Sequence, residues 1–529
     1  MKCDEKDTAI SGYSNFTVLD DPKPEDMSLP AFMVSTTRGF LPRMDPIVSL
    51  PPDFDPLESL LQRMPVKTLS GEPGLLAQGK LGDAVTAELP DLTDHVDKYK
   101  HNLPLMNALY RDYSFLASAY LLEPCHERFV RGEPYGLGRQ VLPANIARPI
   151  VRCAELCEFK PFMEYAGSYA LFNYRLADPS LGLEYSNLRL IRAFEQGLDP
   201  SSSEAGFVLV HVDMVKNSGP LVAGAVACLD AAASSLSSSS SSSSSTRHHP
   251  RAALNTALNT ILTSLRRINA VMESMWTRSK PRSYTSFRTF IFGITAQSMF
   301  PDGVVYQGLS SPSPPSPPTK FSFRGESGAN DSMIPLVDNL LQIAMPATPL
   351  TDILLDFRSY RPSNHRAFLG WVYARSRALG LKEWALRLDH HHHHHHHHHD
   401  SNDTTDEEEE EGDDVVETRR LWLQILNQVR DFRWRHWCFA REYILKQTQH
   451  PTATGGSPVV TWLPNQLQAV MGEMVALYDA SSGGDEDLGQ ECREIIELVM
   501  RQRETLGREV RKFYEERGVA AAATDEGGN

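Results

Sequence analysis

The dominant pattern along this chain is apolar residues recurring every three to four positions. Leu258, Ile261, Leu262, Leu265, Ile268, Val271, Met272 and Met275 draw the cleanest such stripe, the mark of an amphipathic helix. Leu103, Leu105, Met106, Leu109, Tyr110, Tyr113 and Leu116 keep one face in the same way, and another helix is expected after Pro149. Phe162, Tyr165, Tyr169, Phe172 and Tyr174 have the spacing of a packed helix, and 335–343 predicts a further one with Pro335 tolerated in its first turn. In Arg361 to Val372, Pro362 fixes φ and Ser363 or Asn364 can cap the first amides. His365, Phe368, Leu369 and Val372 then share one face. Leu421 to Leu445 predicts a long helix rich in aromatics (Trp422, Phe432, Trp434, Trp437, Phe439), and helices over 464–480 and 488–515 close the chain. Alternating strand patterns are scarce, so the expected class is all-α.

The breaks between these stripes suggest the organisation. Residues 1–36 read as a loosely ordered lead-in, and folding starts at Gly39-Phe40-Leu41-Pro42. The polar stretch Asp199 to Glu204 divides a smaller N-terminal domain, 37–198, from a larger helical domain, 199–515. Three low-complexity insertions are expected inside the latter: a serine tract (234–249), a Ser/Pro loop (310–319) and a histidine tract joined to an acidic one (389–416). Loop-closure entropy grows slowly with length, so insertions between helices cost little. Residues 516–529 read as a disordered tail.

Composition narrows the function classes. The formal net charge is −15 over 529 residues, but ten carboxylates lie within Asp400 to Asp414, so the body is only mildly acidic. Hydrophobic residues at 41% and charged residues at 22% suit a soluble globular protein, and nothing has the basic footprint of a nucleic-acid binder. The seven cysteines are odd in number and scattered, which favours a reduced compartment; Cys153 and Cys157 read as buried thiols. The first residues lack a signal-peptide core, and the apolar run Gly219 to Ala233 is too short to span a bilayer. A cytoplasmic protein with no membrane partner is expected. There is no GxSxG, Walker A, HExxH or CxxCH motif, which removes support for hydrolase, nucleotide-phosphate and c-type haem readings.

Candidate chemistry rests on a few groups. His365 leads an apolar stripe and is either a core histidine or a ligand for a buried cofactor. Arg288, in Ser286-Phe287-Arg288-Thr289-Phe290, is a cation bracketed by aromatics; it is a helix-end arginine or a bidentate carboxylate receptor. His211 interrupts the apolar run from Gly206, as a core histidine or the polar group of a pocket. The ten histidines from His390 could hold a metal ion or be a solvated loop without fixed geometry.

An ordered set of short stretches then resembles one family. Gly39-Phe40-Leu41-Pro42, Val141-Leu142-Pro143-Ala144-Asn145-Ile146-Ala147, Gly206-Phe207-Val208-Leu209-Val210, Phe287-Arg288-Thr289-Phe290, Val305-Tyr306-Gln307-Gly308, Glu326-Ser327-Gly328-Ala329 and Arg361-Pro362-Ser363-Asn364-His365-Arg366 follow the order found in indoleamine 2,3-dioxygenases. The resemblance spans roughly residues 37 to 480 and implies an all-α, two-domain haem enzyme. It would insert both atoms of O2 across the indole C2–C3 bond of L-tryptophan, giving N-formyl-kynurenine, the first step of the kynurenine route to NAD. Its cofactor would be haem b, and the protein is expected to be a monomer. A haem-based oxygen carrier or sensor on the same fold is the alternative, and a helical scaffold without haem a third.

Carried over by this resemblance, His365 is the proximal iron ligand and Asp338 the carboxylate that hydrogen-bonds it. Arg288 pairs with the substrate carboxylate, while Tyr165, Phe207 and Tyr284 line the indole pocket. Ser327, Gly328 and Ala329 form the loop over the haem edge, and Thr454, Gly455 and Gly456 the loop that closes on the substrate. His211 stands where mammalian members carry serine and related tryptophan 2,3-dioxygenases carry histidine, so it is placed to accept the indole N–H. Ser283 stands at a position that is aromatic in mammalian members, which predicts a thinner pocket wall.

Overall fold

In the computed structural model, which describes residues 16–238, 250–309, 319–345, 349–387, 405–448, 453–456, 459–482 and 488–517, the chain folds as expected into helices. The amphipathic stripe through Leu258 becomes the helix Pro250–Glu273, which packs between Ser218–Ser238 and Thr405–Phe439. Its apolar side, Leu254, Leu258, Ile261, Leu265 and Ile268, is buried while the intervening threonines and arginines stay outside. The helix Leu103–Val130 is buried nearly all round, with Asn102 capping the Leu105 amide at 3.0 Å, and runs beside Ala144–Cys157. Strands are few and short. Val141–Leu142 pairs in parallel with Val304–Tyr306, which pairs antiparallel with Lys320–Phe321; Tyr174–Leu176 and Leu188–Leu190 form a separate antiparallel pair.

Several local expectations change. Residues 16–36 are part of the packed body: Ala31, Phe32 and Val34 are buried, Leu19 bridges to Ser35, and Phe16 packs on Phe368 and Trp371. The helix expected after Pro149 begins earlier, at Ala144, and contains that proline. Phe162 to Tyr174 is not a helix beyond one π turn, Tyr165–Tyr169. The reason is local: the buried Glu164 carboxylate takes the amides of Ala166 and Gly167, and Asn173 bonds the carbonyls of Tyr169 and Arg192 at 3.0 Å, holding a turn that leads into a strand.

Helix also runs into two of the tracts that composition marks as insertions. The helix Ser218–Ser238 runs into the serine tract, with the Ser234 hydroxyl donating to the Asp230 carbonyl at 2.8 Å. The last tract begins its helix at Thr405, inside the acidic run. Residues 239–249, 310–318, 388–404 and 518–529, and with them the histidine tract and most of the expected tail, lie outside the described residues, as do 1–15. The core does not stop near residue 199. The Phe194 ring stacks between Phe115 and Phe290, 4.7 and 5.1 Å away, and the amides of Phe194 and Glu195 donate to the buried carboxylate of Glu204. The apolar stretch Ser203–Ser237 has the length and composition of a membrane span; half of it is buried here against other helices.

One polar cluster sits inside this core. Asp112, fully buried, accepts from Arg192 Nε at 2.9 Å and Nη2 at 2.8 Å and from Arg111 Nε at 2.8 Å, and Arg192 also reaches Glu58. Burial pushes the Asp112 carboxyl up, but the two guanidiniums outweigh it and hold it at about 2. The folded state therefore binds the Asp112 proton less readily than the unfolded chain. Its contribution is full above the ordinary carboxylate range near ~4 and fades as pH falls towards 2. Asp112→Ala is expected to destabilise the protein by about 3–5 kcal/mol, because it strands two buried cations; urea unfolding at neutral pH measures this.

Candidate functional site

Two adjoining cavities lie among the helices of the larger half. The smaller, about 140 Å³, is walled by Tyr165, Phe207, Tyr284, Met214, Met272, Met275 and Tyr443, with His211, Glu326, Ser327 and Thr454 as its polar groups. The larger, about 680 Å³, is lined by Ile334, Leu369, Gly370 and Ala329 and by Arg358, Arg361, Arg366, Arg377 and Arg433. The two share Gly328, Asp331, Phe432, His436 and Leu463 as common wall.

The long helix Thr405–Phe439 supplies that wall. Phe432, His436, Phe439, Ala440 and Tyr443 fall at intervals of three and four along it and its continuation, the π-helical turn Ala440–Leu445. Burial, with a smaller contribution from the nearby His211, lowers the basicity of His436 to about 4. The ring is therefore neutral at ordinary pH and keeps a nitrogen lone pair.

His211 sits on the helix Ser203–Val215, whose first turn is capped by Ser202 through the Ala205 amide at 3.1 Å. Its Nδ1 lies 2.8 Å from the Phe207 carbonyl oxygen, which can only accept, so Nδ1 carries the proton. Nε2 is left as an acceptor and lies towards the Gly328 loop, 3.8 Å from where a β-carbon on that glycine would be. Burial lowers the basicity of this ring too.

Three backbone segments cross behind the smaller cavity. The Gly293 amide donates to the Thr454 carbonyl at 3.0 Å, Ile294 to Phe323 at 2.8 Å, and the Thr454 hydroxyl to the Glu326 carbonyl at 2.7 Å. Gly293 and Gly325 pass so closely that a β-carbon on either would overlap the other's amide. Glycine is required there by contact, and the crossing fixes both the 326–329 loop and the 453–456 segment.

A model of the indoleamine 2,3-dioxygenase family matches residues 28–487. The chain belongs to the indoleamine 2,3-dioxygenase family. It is 26% identical to mouse indoleamine 2,3-dioxygenase 1 over 328 residues, which cover 61% of this chain and 69% of the mouse protein. It is 24% identical over 355 residues to indoleamine 2,3-dioxygenase nanC of Aspergillus nanangensis (65% and 76% covered) and 24% identical over 308 residues to the Saccharomyces cerevisiae indoleamine 2,3-dioxygenase (54% and 62%). This family of oxidoreductases is named for a dioxygenase activity, so the paired cavities are the place to look for it.

Within this dioxygenase, the structure brings together Tyr165, Phe207, His211, Tyr284, Ser327, Gly328 and Thr454 at the smaller cavity and Ala329 and Asp338 at the larger, all singled out by sequence. It does not bring His365. That imidazole is buried but lines neither cavity; its ring packs against Phe32 and Phe40 at 5.6 and 5.0 Å, and its Nδ1 lies 3.3 Å from the Ser332 hydroxyl. The expected Asp338–His365 hydrogen bond is likewise replaced, because Asp338 accepts from Arg433 at 2.7 Å. Arg288 is fully buried one layer behind the wall, its guanidinium 4.5 Å from the Phe292 ring centre and hydrogen-bonded to the Tyr284 phenol. Gly455 and Gly456 line neither cavity: Gly455 packs on Phe357, and its carbonyl accepts from Arg324 at 3.0 Å. Ser283 is also outside the lining, and Tyr443 packs against Tyr284 at 5.7 Å on that side of the pocket.

The residues that sequence reasoning missed are His436, the three methionines, Tyr443 and Glu326. Among the described residues no cluster of three or more His, Cys, Asp and Glu could hold a metal ion directly. A metal at this site would be held through a single imidazole. Gly325→Ala is expected to push the 326–329 loop out of place, lowering the melting temperature and weakening binding of indole ligands; thermal denaturation and ligand titration check both.

Proposed function

We propose that this protein is a haem b-dependent dioxygenase that inserts both oxygen atoms of O2 into the indole C2–C3 bond of L-tryptophan, and that His436 rather than His365 is the iron ligand. The observation that carries this reading is a neutral, half-buried imidazole standing in the wall between two cavities, with a second imidazole acting on it from the smaller one. A porphyrin suits the larger cavity on three counts. Its volume of about 680 Å³ is that of a cofactor pocket. Ile334, Leu369, Phe432 and Leu463 offer apolar walls, and Arg358, Arg361, Arg366 and Arg433 offer cations for two propionates. Bound haem supplies the activation of dioxygen, which no protein side chain provides.

The chain's own residues do the rest. His436 would hold the iron of a bound haem through its lone pair, and the Arg433–Asp338 pair one turn away steadies that stretch of helix. His211 Nε2 accepts the indole N–H and so orients the ring; Phe207, Tyr165 and Tyr284 pack around it and exclude water. Arg288, one layer behind the wall, acts on the substrate carboxylate through the Tyr284 phenol to which it is hydrogen-bonded. The product, N-formyl-kynurenine, would enter the kynurenine route to NAD. The thiols of Cys125, Cys153, Cys157, Cys228 and Cys438 are in no disulfide, which suits the reduced cytoplasm.

The distinguishing test is the visible spectrum of purified variants. His436→Ala is expected to lack a Soret band, whereas His365→Ala keeps it and loses ~2 kcal/mol or more of stability through the cavity left beside Phe32 and Phe40. A normally loaded His436→Ala protein would overturn the assignment. Arg288→Ala is expected to retain haem while kcat/KM for L-tryptophan falls roughly 100-fold, as when a buried carboxylate loses its cation. Steady-state formation of N-formyl-kynurenine measures it.

A further inference from the structure

The smaller cavity holds a carboxyl group that neither the fold nor the proposed chemistry uses. Glu326 follows Gly325 at the backbone crossing, and its residue is 98% buried, being 2% exposed. Its carbonyl is fixed by the Thr454 hydroxyl at 2.7 Å, so its main chain cannot swing away. The side chain lines the cavity, and among the described residues its carboxyl has no hydrogen bond and no ion pair. Burial alone pushes that carboxyl up to about 8.

An unpartnered carboxyl in an apolar pocket is costly unless a ligand completes it. The other acid of this cavity, Asp331, is engaged through one oxygen: Oδ2 accepts the Met333 amide at 2.9 Å and the Ile334 amide at 3.4 Å, and the group lies near Arg361, while Oδ1 has no hydrogen-bond partner among the described residues. The remaining polar groups of the wall cannot neutralise a cation. His211 offers one neutral nitrogen, and Ser327 and Thr454 offer hydroxyls. Glu326 is thus the acid in this pocket with both oxygens left to meet a positive charge, in a wall it shares with Tyr284 and Tyr165.

We propose that Glu326 is the receptor for the substrate's α-ammonium group and makes this pocket select indoles that carry a primary ammonium. The inference rests on the reading of the smaller cavity as an indole amino acid site. An ammonium–carboxylate contact inside low-polarity walls is short, directional and strong, and it holds the amino end of the substrate against the fixed 325–327 backbone while His211 holds the ring.

The test compares three probes on the haem-loaded full-length protein: L-tryptophan, tryptamine (ammonium, no carboxylate) and indole-3-propionate (carboxylate, no ammonium). In the wild type, tryptamine is expected to bind more tightly than indole-3-propionate by roughly tenfold, as charge-assisted hydrogen bonds are worth. Glu326→Gln, which keeps size and loses charge, is expected to reverse that order and to raise KM for L-tryptophan about tenfold or more, the loss appearing in KM rather than kcat; Glu326→Asp should recover part of it. Equal weakening of tryptamine and indole-3-propionate, or an unchanged KM, overturns the role of Glu326 while leaving the dioxygenase reading intact. The wild-type preference needs no variant, so a misfolded Glu326→Gln protein leaves that arm decisive. A wild type that binds haem but neither binds nor turns over L-tryptophan overturns both readings.

Discussion

Everything at this site depends on keeping imidazole rings unprotonated by burying them. A histidine can donate to a metal or accept from an indole only through a nitrogen that carries no proton. In water near neutral pH that condition is only partly met; inside this fold desolvation takes His436 down to about 4 and lowers His211 as well. The Phe207 carbonyl then settles which nitrogen of His211 holds its proton. Each of these is a packing effect first and an electronic one second, so the aromatic and methionine walls are part of the chemistry and not merely its container.

The same constraint explains why one histidine was legible in the sequence and the other was not. His365 and His436 both sit on apolar helical faces, and both are neutral by burial, His365 at about 3. The difference is what stands opposite. His365 meets Phe32 and Phe40, from a stretch that sequence pattern assigned in part to a loose lead-in; His436 meets open volume. Periodicity reports which side of a helix is buried and says nothing about whether the buried side faces side chains or a cavity. Phe432, His436, Phe439, Ala440 and Tyr443 form as regular a stripe as His365, Phe368, Leu369 and Val372, and the tryptophans of the same helix drew the eye from it.

The fold was more readable than the site because helices announce themselves locally. The stripes through Leu109, Leu258 and Val372 each became helices, since 3.6-residue periodicity is set by near neighbours. The stretch around Tyr169 failed for the opposite reason. Its aromatics satisfy helical spacing, but Glu164 and Asn173 give the backbone other partners, and a side chain that bonds nearby amides competes with the helix. The start of the serine tract failed in the other direction: Ser234, Ser235 and Ser237 bond back to carbonyls in the preceding turn and the helix simply continues.

The Pro362–His365 motif nevertheless has definite work, and it is structural. Pro362 stands at the helix start, where no side-chain cap is made. Asn364, one of the two residues expected to cap it, instead accepts the Val34 amide at 2.8 Å across 330 residues of chain. His365 fills the space between Phe32 and Phe40 and reaches Ser332, just before the helix Met333–Leu340 that carries Asp338. Arg361 bonds the carbonyls of Ala329, Asn330 and Asp331, the residues that follow the cavity loop. The motif thus ties the first described segment of the chain to the loop between the two cavities. A sequence signature of this kind marks a site by holding its walls together, and the residues inside it need not be the ones that touch the ligand.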